Sequence, residues 1–437
     1  MQLELSKMRI LHAPQNYADQ AGSVVRALRA LGHDAEYWEY GKSRFGFEAD
    51  RRIDVSSGDP SILWQTFLEA KDRFDVFHFH FANSFFPYHW AVVPPYWDLP
   101  VLRMLGKKVF FTFHGSDSRM RKIADEHNPY AAEFFAEGDP DDDRLQKSIN
   151  VIKTYANKMF VISAELLPYV PEAKAVPRAI DLSRWPEQPA VQRKVPRIAH
   201  FPSRRSFKGT GRIVDGMAQL QREGIAFDFQ LIEDIPNEQL KGLLQDTDIL
   251  VDNILMGDFG VASIEAMACS RLAVARLSEP VRRANQGIPV YDVTPETFVD
   301  QMRALIKDFG LRTRLSQLGR PYVAGHFDSV HAARAYLEIY EQDWPPLTPR
   351  IFPDWMGFAD ARRIEGMADR IGELGSERAR MRTELGEAKT DLARVSGALE
   401  RELSKPWTPK DMLPPSLRAR LKKIRAQMRG SKRETTR

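Results

Sequence analysis

Cysteine is almost absent: Cys269 is the only one in 437 residues. An internal disulfide is excluded, and the chain suits a reducing compartment. Cys269 lies in the apolar run Ala266-Met267-Ala268-Cys269 and reads as a small buried residue, not a nucleophile. Long apolar runs are missing as well. None approaches the ~20 residues needed to cross a bilayer, and Met1 to Ile10 is too polar for a secretory signal. A cytoplasmic protein is expected, or one peripheral at the inner face of the cell membrane. The chain also lacks a Ser-His-Asp arrangement, zinc-ligand spacing, a dinucleotide fingerprint and the spaced glycines of a Walker A loop.

Hydrophobic residues make up 43% of the chain, enough for sizeable cores. Its length suggests two domains plus extensions. The net charge of +4 hides an asymmetry: residues 405–437 carry 11 Lys and Arg against 2 Asp and Glu, a net +9. The body is therefore mildly acidic, and an anionic surface would meet the tail.

Up to residue 345, short apolar runs alternate with longer helical patterns. Expected strands are Arg9–Ala13, Ala35–Tyr40, Val76–His80, Val109–His114 and Met159–Ile162, with helices such as Ala21–Leu31 and Arg144–Ala156 between them. A proline-bearing stretch, Asp181–Val195, reads as a linker. A second series follows, with strands Arg197–Phe201, Phe227–Ile232, Ile249–Asn253, Leu272–Leu277 and Val290–Val293. Its helices are expected at Gly211–Glu223, Asn237–Gln245, Val261–Cys269 and Pro295–Asp308. Such alternation predicts α/β architecture: two Rossmann-like, doubly wound parallel sheets facing a cleft. The expected divisions are an N-terminal domain at 1–182, a linker at 183–196, a C-terminal domain at 197–345, a linker and coiled coil at 346–403, and a basic tail at 404–437.

From Ile364 to Glu402, apolar positions recur alternately three and four apart, through Met367, Ile371, Leu374, Met381, Leu385, Ala388, Leu392, Val395 and Leu399. That 3.5-residue repeat, with Arg378 on the seam, predicts a coiled coil roughly 55–60 Å long. A homodimer through 364–402 is expected; a single amphipathic helix docked on the body is the alternative. Further on, Pro414-Pro415-Ser416 signals a helix start and Gly430 a stop. Leu417, Leu421, Ile424 and Met428 line one face amid Arg and Lys. A basic amphipathic helix over 414–430 suits an anionic membrane surface. A solvated tail is the bland reading. Nucleic acid is not expected, since aromatic residues are absent after Trp407.

Two loops carry the chemistry. In Gly257-Asp258-Phe259-Gly260-Val261-Ala262-Ser263-Ile264-Glu265, a glycine-rich loop opens into an apolar helix containing one carboxylate. A glycine loop admits a ligand to the backbone, and a helix N-terminus favours phosphate. Glu265 can accept hydrogen bonds from sugar hydroxyls. Upstream lies Pro202-Ser203-Arg204-Arg205-Ser206-Phe207-Lys208-Gly209-Thr210, also between strand and helix. There Lys208 can neutralise a diphosphate, with Arg204 and Arg205 adding charge-assisted bonds. Read alone, each loop is also compatible with a plain turn and surface cations.

On the N-terminal side, His114-Gly115-Ser116-Asp117 follows a strand, and Phe77-His78-Phe79-His80 ends another. His114 can bond a sugar hydroxyl or serve as a core or capping histidine. His78 and His80 share a strand face but have no third ligand in sight, so no metal is expected there. Asp139-Pro140-Asp141 is a metal-type Asp-x-Asp pattern, but it precedes a helix and reads as N-terminal acidity. Gly22, at the first strand–helix turn, leaves room for a donor phosphate.

In order and spacing, these pieces resemble the retaining, family-four-like glycosyltransferases of the GT-B fold over about residues 8–342. Gly22 with Ala27-Leu28-Arg29-Ala30-Leu31-Gly32-His33 is similar to the first turn and helix of that family. Phe77-His78-Phe79-His80 and Phe113-His114-Gly115-Ser116-Asp117 are similar to its acceptor-side strand ends. Val161-Ile162-Ser163 and Val176-Pro177-Arg178-Ala179-Ile180-Asp181 match the run into the linker. Lys208-Gly209-Thr210 and Glu265-Ala266-Met267-Ala268 match the donor signature.

The resemblance implies a UDP- or GDP-linked sugar as co-substrate, no cofactor, and no metal. It implies catalytic roles for Lys208, Arg205, His114 and Glu265. Donor contacts would come from Gly22, Arg204, Lys208, Gly209, Gly257, Asp258, Gly260 and Glu265, and acceptor-side contacts from His80 and Asp117. The chain departs from the family at Gly257, where members often carry a second, sugar-contacting glutamate. Sugar contacts would then fall to Asp258, Asp252, Asn253 or backbone N–H groups. The expected activity is transfer of a hexose or related sugar, with retention, to a glycan or lipid-linked acceptor in polysaccharide or cell-envelope glycan synthesis. The alternatives are a GT-B-fold nucleotide-sugar epimerase and a catalytically inactive coiled-coil adaptor.

Overall fold

Short apolar runs and amphipathic helices alternate along the body, and they fold as two parallel sheets. The computed structural model describes residues 7–41, 46–87, 95–189, 193–233, 237–345, 377, 380–397, 416–417 and 419–424. The chain divides into two compact units, Met1–Gly357 and Phe358–Arg437.

The first sheet contains β1 (Arg9–Ala13), β2 (Asp34–Tyr40), β3 (Arg51–Ile53), β4 (Val76–His80), β5 (Lys108–Phe113), β6 (Lys158–Val161) and β7 (Lys174–Ala175). Its order is β3-β2-β1-β4-β5-β6-β7, and every pairing is parallel. The second sheet contains β8 (Arg197–His200), β9 (Asp228–Leu231), β10 (Ile249–Val251), β11 (Leu272–Ala275) and β12 (Val290–Asp292), in the order β12-β11-β10-β8-β9. All of its pairings are parallel too. The central strands β4, β10 and β11 are buried along their whole length. Helices cover both faces of such sheets, which is why β10 and β11 read as unbroken apolar runs, whereas β4 interleaves its apolar residues with the buried His78 and His80.

Helix starts follow the side chains that can satisfy free N–H groups. Asp141 caps Asp142–Tyr155 by accepting from Arg144 N at 3.0 Å. Asp139 pairs with Arg121 at 2.7 Å. The acidic run is thus helix-start chemistry, as the sequence suggested.

The last helix of the body, Ser329–Tyr340, follows the second sheet in sequence but packs on the first. Ala332, Ala333, Tyr336 and Tyr340 join Ile10, Leu28 and Phe110 in one core. Ser329 N donates to Ile180 O at 2.9 Å and ties the crossing point. The expected 197–345 domain therefore lends its final helix to the N-terminal sheet. Its apolar stripe marks it as core-facing without saying which core.

In the second unit, residues 380–397 and 419–424 are helical. Met381, Leu385, Leu392 and Val395, all on the expected seam, are exposed, and so are Leu417, Leu421 and Ile424. The heptad positions at 364–378 and 399–402, and Arg418, Met428 and Gly430, lie outside the described residues. No helix among the described residues is long and apolar enough to cross a membrane.

Candidate active site

In a doubly wound sheet, ligands bind beyond the carboxyl ends of the strands where the winding reverses. The second sheet reverses between β8 and β10. The loops leaving those two strands bring Lys208 and Asp252 together: the Lys208 ammonium donates to Asp252 Oδ1. Gly260 N donates to Asp252 Oδ2, and Ser263 Oγ donates to the same oxygen at 2.7 Å. Lysine, helix N-terminus and hydroxyl thus converge on one anion. Burial raises the Asp252 carboxyl, but Lys208, Ser263 and the Gly260 N–H outweigh it and hold its pKa below the usual value.

Both glycines here are needed. A Cβ on Gly260 would lie 2.7 Å from Asp252 Oδ2 and 3.0 Å from Lys208 Nζ. Gly209 has φ +73°, and its Cβ would meet Leu255 Cγ at 2.9 Å.

Glu265 stands inside the helix Val261–Ala268, at 8% exposure. It lines a cavity of about 330 Å³ with Asp19, Asp181, Arg184, Trp185 and Lys241. Burial lifts its pKa to about 8, and Asp19 and Asp252 push the same way against Lys208. Asp19 belongs to the N-terminal turn and pairs with Arg26 at 2.5 Å. Its carboxylate lies over Gly22, where a Cβ would strike it. Gly22 therefore makes room for Asp19. The residues facing Glu265 in this cavity, Asp19, Arg184 and Lys241, sit in no motif, and sequence reading missed them.

The other expected donor residues are dispersed. Arg204 stacks on Phe207 at 3.8 Å and pairs with Glu137 at 3.4 Å. Arg205, expected beside the diphosphate, pairs with Glu233 at 2.7 Å and is 56% exposed. Gly257 has φ +86° and approaches Arg276. Asp258 is fully buried and paired with Arg178, which also stacks on Phe259 at 5.0 Å. Asn253 Nδ2 donates to Asp258 O at 2.5 Å. Arg178 was legible only as part of a motif; its buried ion pair joins the two sheet domains.

Across from these loops lies the end of β5. Asp117 accepts from His114 N at 3.0 Å and Gly115 N at 2.6 Å, which folds the loop back on itself. Burial lifts its pKa to about 6, against those bonds and Arg119. Beyond it, Asp117, Ser116, Asn83, Tyr96 and Arg144 line a second cavity of about 230 Å³. His80 is buried, with Nδ1 3.0 Å from His114 Nε2. His78 bonds the Tyr340 hydroxyl and lies 2.6 Å from Thr112 Oγ1. Among the described residues, no group of three His, Cys, Asp or Glu could hold a metal ion.

No family model and no curated protein matches the sequence. Solved structures do match in shape. HepE from Anabaena, crystallised with UDP and glucose, is 12% identical, with 76% of this chain and 98% of HepE covered and a TM-score of 0.52. A glycosyltransferase from Rickettsia africae is 15% identical, with coverage of 77% and 98% and a TM-score of 0.51. Sucrose-phosphate synthase from Thermosynechococcus elongatus is 14% identical, with coverage of 76% and 98% and a TM-score of 0.50. With two doubly wound parallel sheets and this likeness, the body of the chain has the GT-B glycosyltransferase fold.

Proposed function

We propose that this protein is a glycosyltransferase that moves a sugar, with retention, from a nucleoside-diphosphate donor to a glycan or lipid-linked acceptor. The observation that carries the reading is the convergence of the Lys208 ammonium, Gly260 N–H and Ser263 hydroxyl on one carboxylate, that of Asp252. Groups that hold one anion in the cleft are suited to hold another. In this reading, the donor diphosphate takes those bonds and Glu265 accepts hydrogen bonds from the ribose in the adjoining cavity. The Anabaena structure holds UDP and glucose, which supports a uridine-linked donor. His114 would meet the sugar, and the cavity beside Asp117 would take the acceptor.

The mechanism is electrostatic. As the sugar–phosphate bond opens, charge grows on the departing diphosphate, and Lys208 is already positioned to receive it. Cationic side chains and a helix terminus would do the work without a metal. Lys208 would exchange Asp252 for the diphosphate from a largely buried position, whereas Arg205 would have to leave both Glu233 and a mostly exposed position, so Lys208 carries the larger share.

The test is turnover of UDP- and GDP-sugars, read as released diphosphate with and without acceptor glycans. Lys208→Ala should lower turnover by about 10²-fold or more, the scale of losing one such group. Near-wild-type turnover in that variant would sink the assignment.

A further inference from the structure

Three histidines from adjacent strand ends form one hydrogen-bonded chain. His12 Nδ1 lies 2.9 Å from His80 Nε2, and His80 Nδ1 lies 3.0 Å from His114 Nε2. The rings stack or tilt against each other, with centroids 5.1 and 5.2 Å apart. The two outer nitrogens, His12 Nε2 and His114 Nδ1, have no hydrogen-bond partner among the described residues. Burial keeps all three rings neutral: His12 and His114 are lowered to about 3, and His80 well below its ordinary value.

A neutral imidazole has one N–H and one bare nitrogen. Each of the two links needs one donor and one acceptor. Three rings with one proton each can satisfy both links in only two ways, and the tautomers change together. Either His114 Nδ1 carries its proton and His12 Nε2 is bare, or the reverse holds.

The His12 end decides between them. His12 is fully buried, stacked on His78 at 4.7 Å and edge-on to Tyr336. A proton on its Nε2 would be an orphaned N–H in the core. Among buried backbone groups, that defect is rarer than an under-satisfied acceptor. His114 Nδ1 is covered as well, but it belongs to a half-buried residue at the end of the strand, packed beside the exposed Tyr17, where a ligand oxygen entering the cleft can reach an N–H.

We infer that His12 and His80 are positioning residues that fix His114 in its Nδ1–H tautomer, so that it donates a hydrogen bond to an oxygen of the bound sugar. The inference rests on the proposed function, which sets His114 against the sugar. His12 touches nothing that reacts. It acts through His80, and neither residue type at its position would announce this in sequence.

The experiment labels the ten histidines with ¹⁵N and reads ring tautomers by long-range ¹H–¹⁵N correlation. His114 is assigned by the signal lost in His114→Gln. Wild type should show the Nδ1–H tautomer alone. His12→Phe should give a mixture at His114 and a loss of up to about tenfold in kcat/KM, the worth of one hydrogen bond. His12→Asn, whose amide can donate where Nδ1 did, should restore both. A mixed or Nε2–H tautomer at His114 in wild type would overturn the relay, even if His12→Phe does not fold. So would a tautomer unchanged by His12→Phe. Coupled tautomers in a protein that turns over no nucleotide-sugar would support the relay and sink the function; uncoupled tautomers with intact turnover would do the opposite.

Discussion

Glu265 combines a carboxylate, near-complete burial and two like-charged neighbours, and that combination gives it a pH signature. Its pKa in the folded protein, about 8, lies above the ordinary 4.5. Between those values the folded state holds a proton that the unfolded chain has lost. This contribution to stability is full below about pH 4.5 and fades as pH rises toward 8. In melting experiments without ligand, Glu265→Gln should flatten the fall in melting temperature across that window relative to wild type. An identical pH slope in both proteins would show that Glu265 does not titrate there. Glu265 and Lys208 stood out in the sequence as candidates because Glu265 follows a glycine-rich loop after a strand and Lys208 stands just before Gly209 at a helix start. Asp19 and Lys241 were not, because they reach the same cavity from a turn and a helix that no motif marks. Arg205 was legible as a cation, but its partner Glu233 lies 28 positions away and only folding brings the two together.

At the scale of elements, the mostly apolar central strands were readable to the residue, as β1 and β4 show even with histidine inside each. The short edge strands β3 and β7 were not, since three or two residues leave no period to detect. The crossing of Ser329–Tyr340 onto the first sheet was hidden for another reason: tertiary pairing of a helix with a sheet has no local signature. The second unit poses the converse problem. Helix 380–397 leaves Met381, Leu385, Leu392 and Val395 more than half exposed, at heptad positions. A second copy of the same helix would cover them through knobs-into-holes packing. Light scattering should therefore give twice the mass for the full chain and a single mass for a chain ending at residue 345; a monomeric full chain would refute the coiled-coil dimer. The tail segment, with Leu417, Leu421 and Ile424 exposed beside its cations, should sediment with anionic vesicles. Equal binding by a chain ending at residue 404 would remove the tail from any membrane role.

For the whole molecule, two sheets meet with their strand ends toward each other, and buried groups join them. Arg178 before the linker pairs with Asp258 in the second sheet domain, both sealed from water. Asn128 Nδ2 donates to Leu255 O at 3.1 Å and Arg212 Nε to Glu133 Oε2 at 2.7 Å, so further bonds cross between the two domains. The cavity at Glu265 draws its walls from both domains, which is why a ligand there should stabilise the body as a unit. Melting temperature measured with UDP, GDP, ADP, dTDP and CMP, on wild type and on Glu265→Ala, tests the central claim most directly. One nucleoside diphosphate should raise the melting temperature of wild type and leave Glu265→Ala unmoved, which would fix the donor class and locate its site. No shift with any of the five nucleotides would contradict a donor site in this cleft.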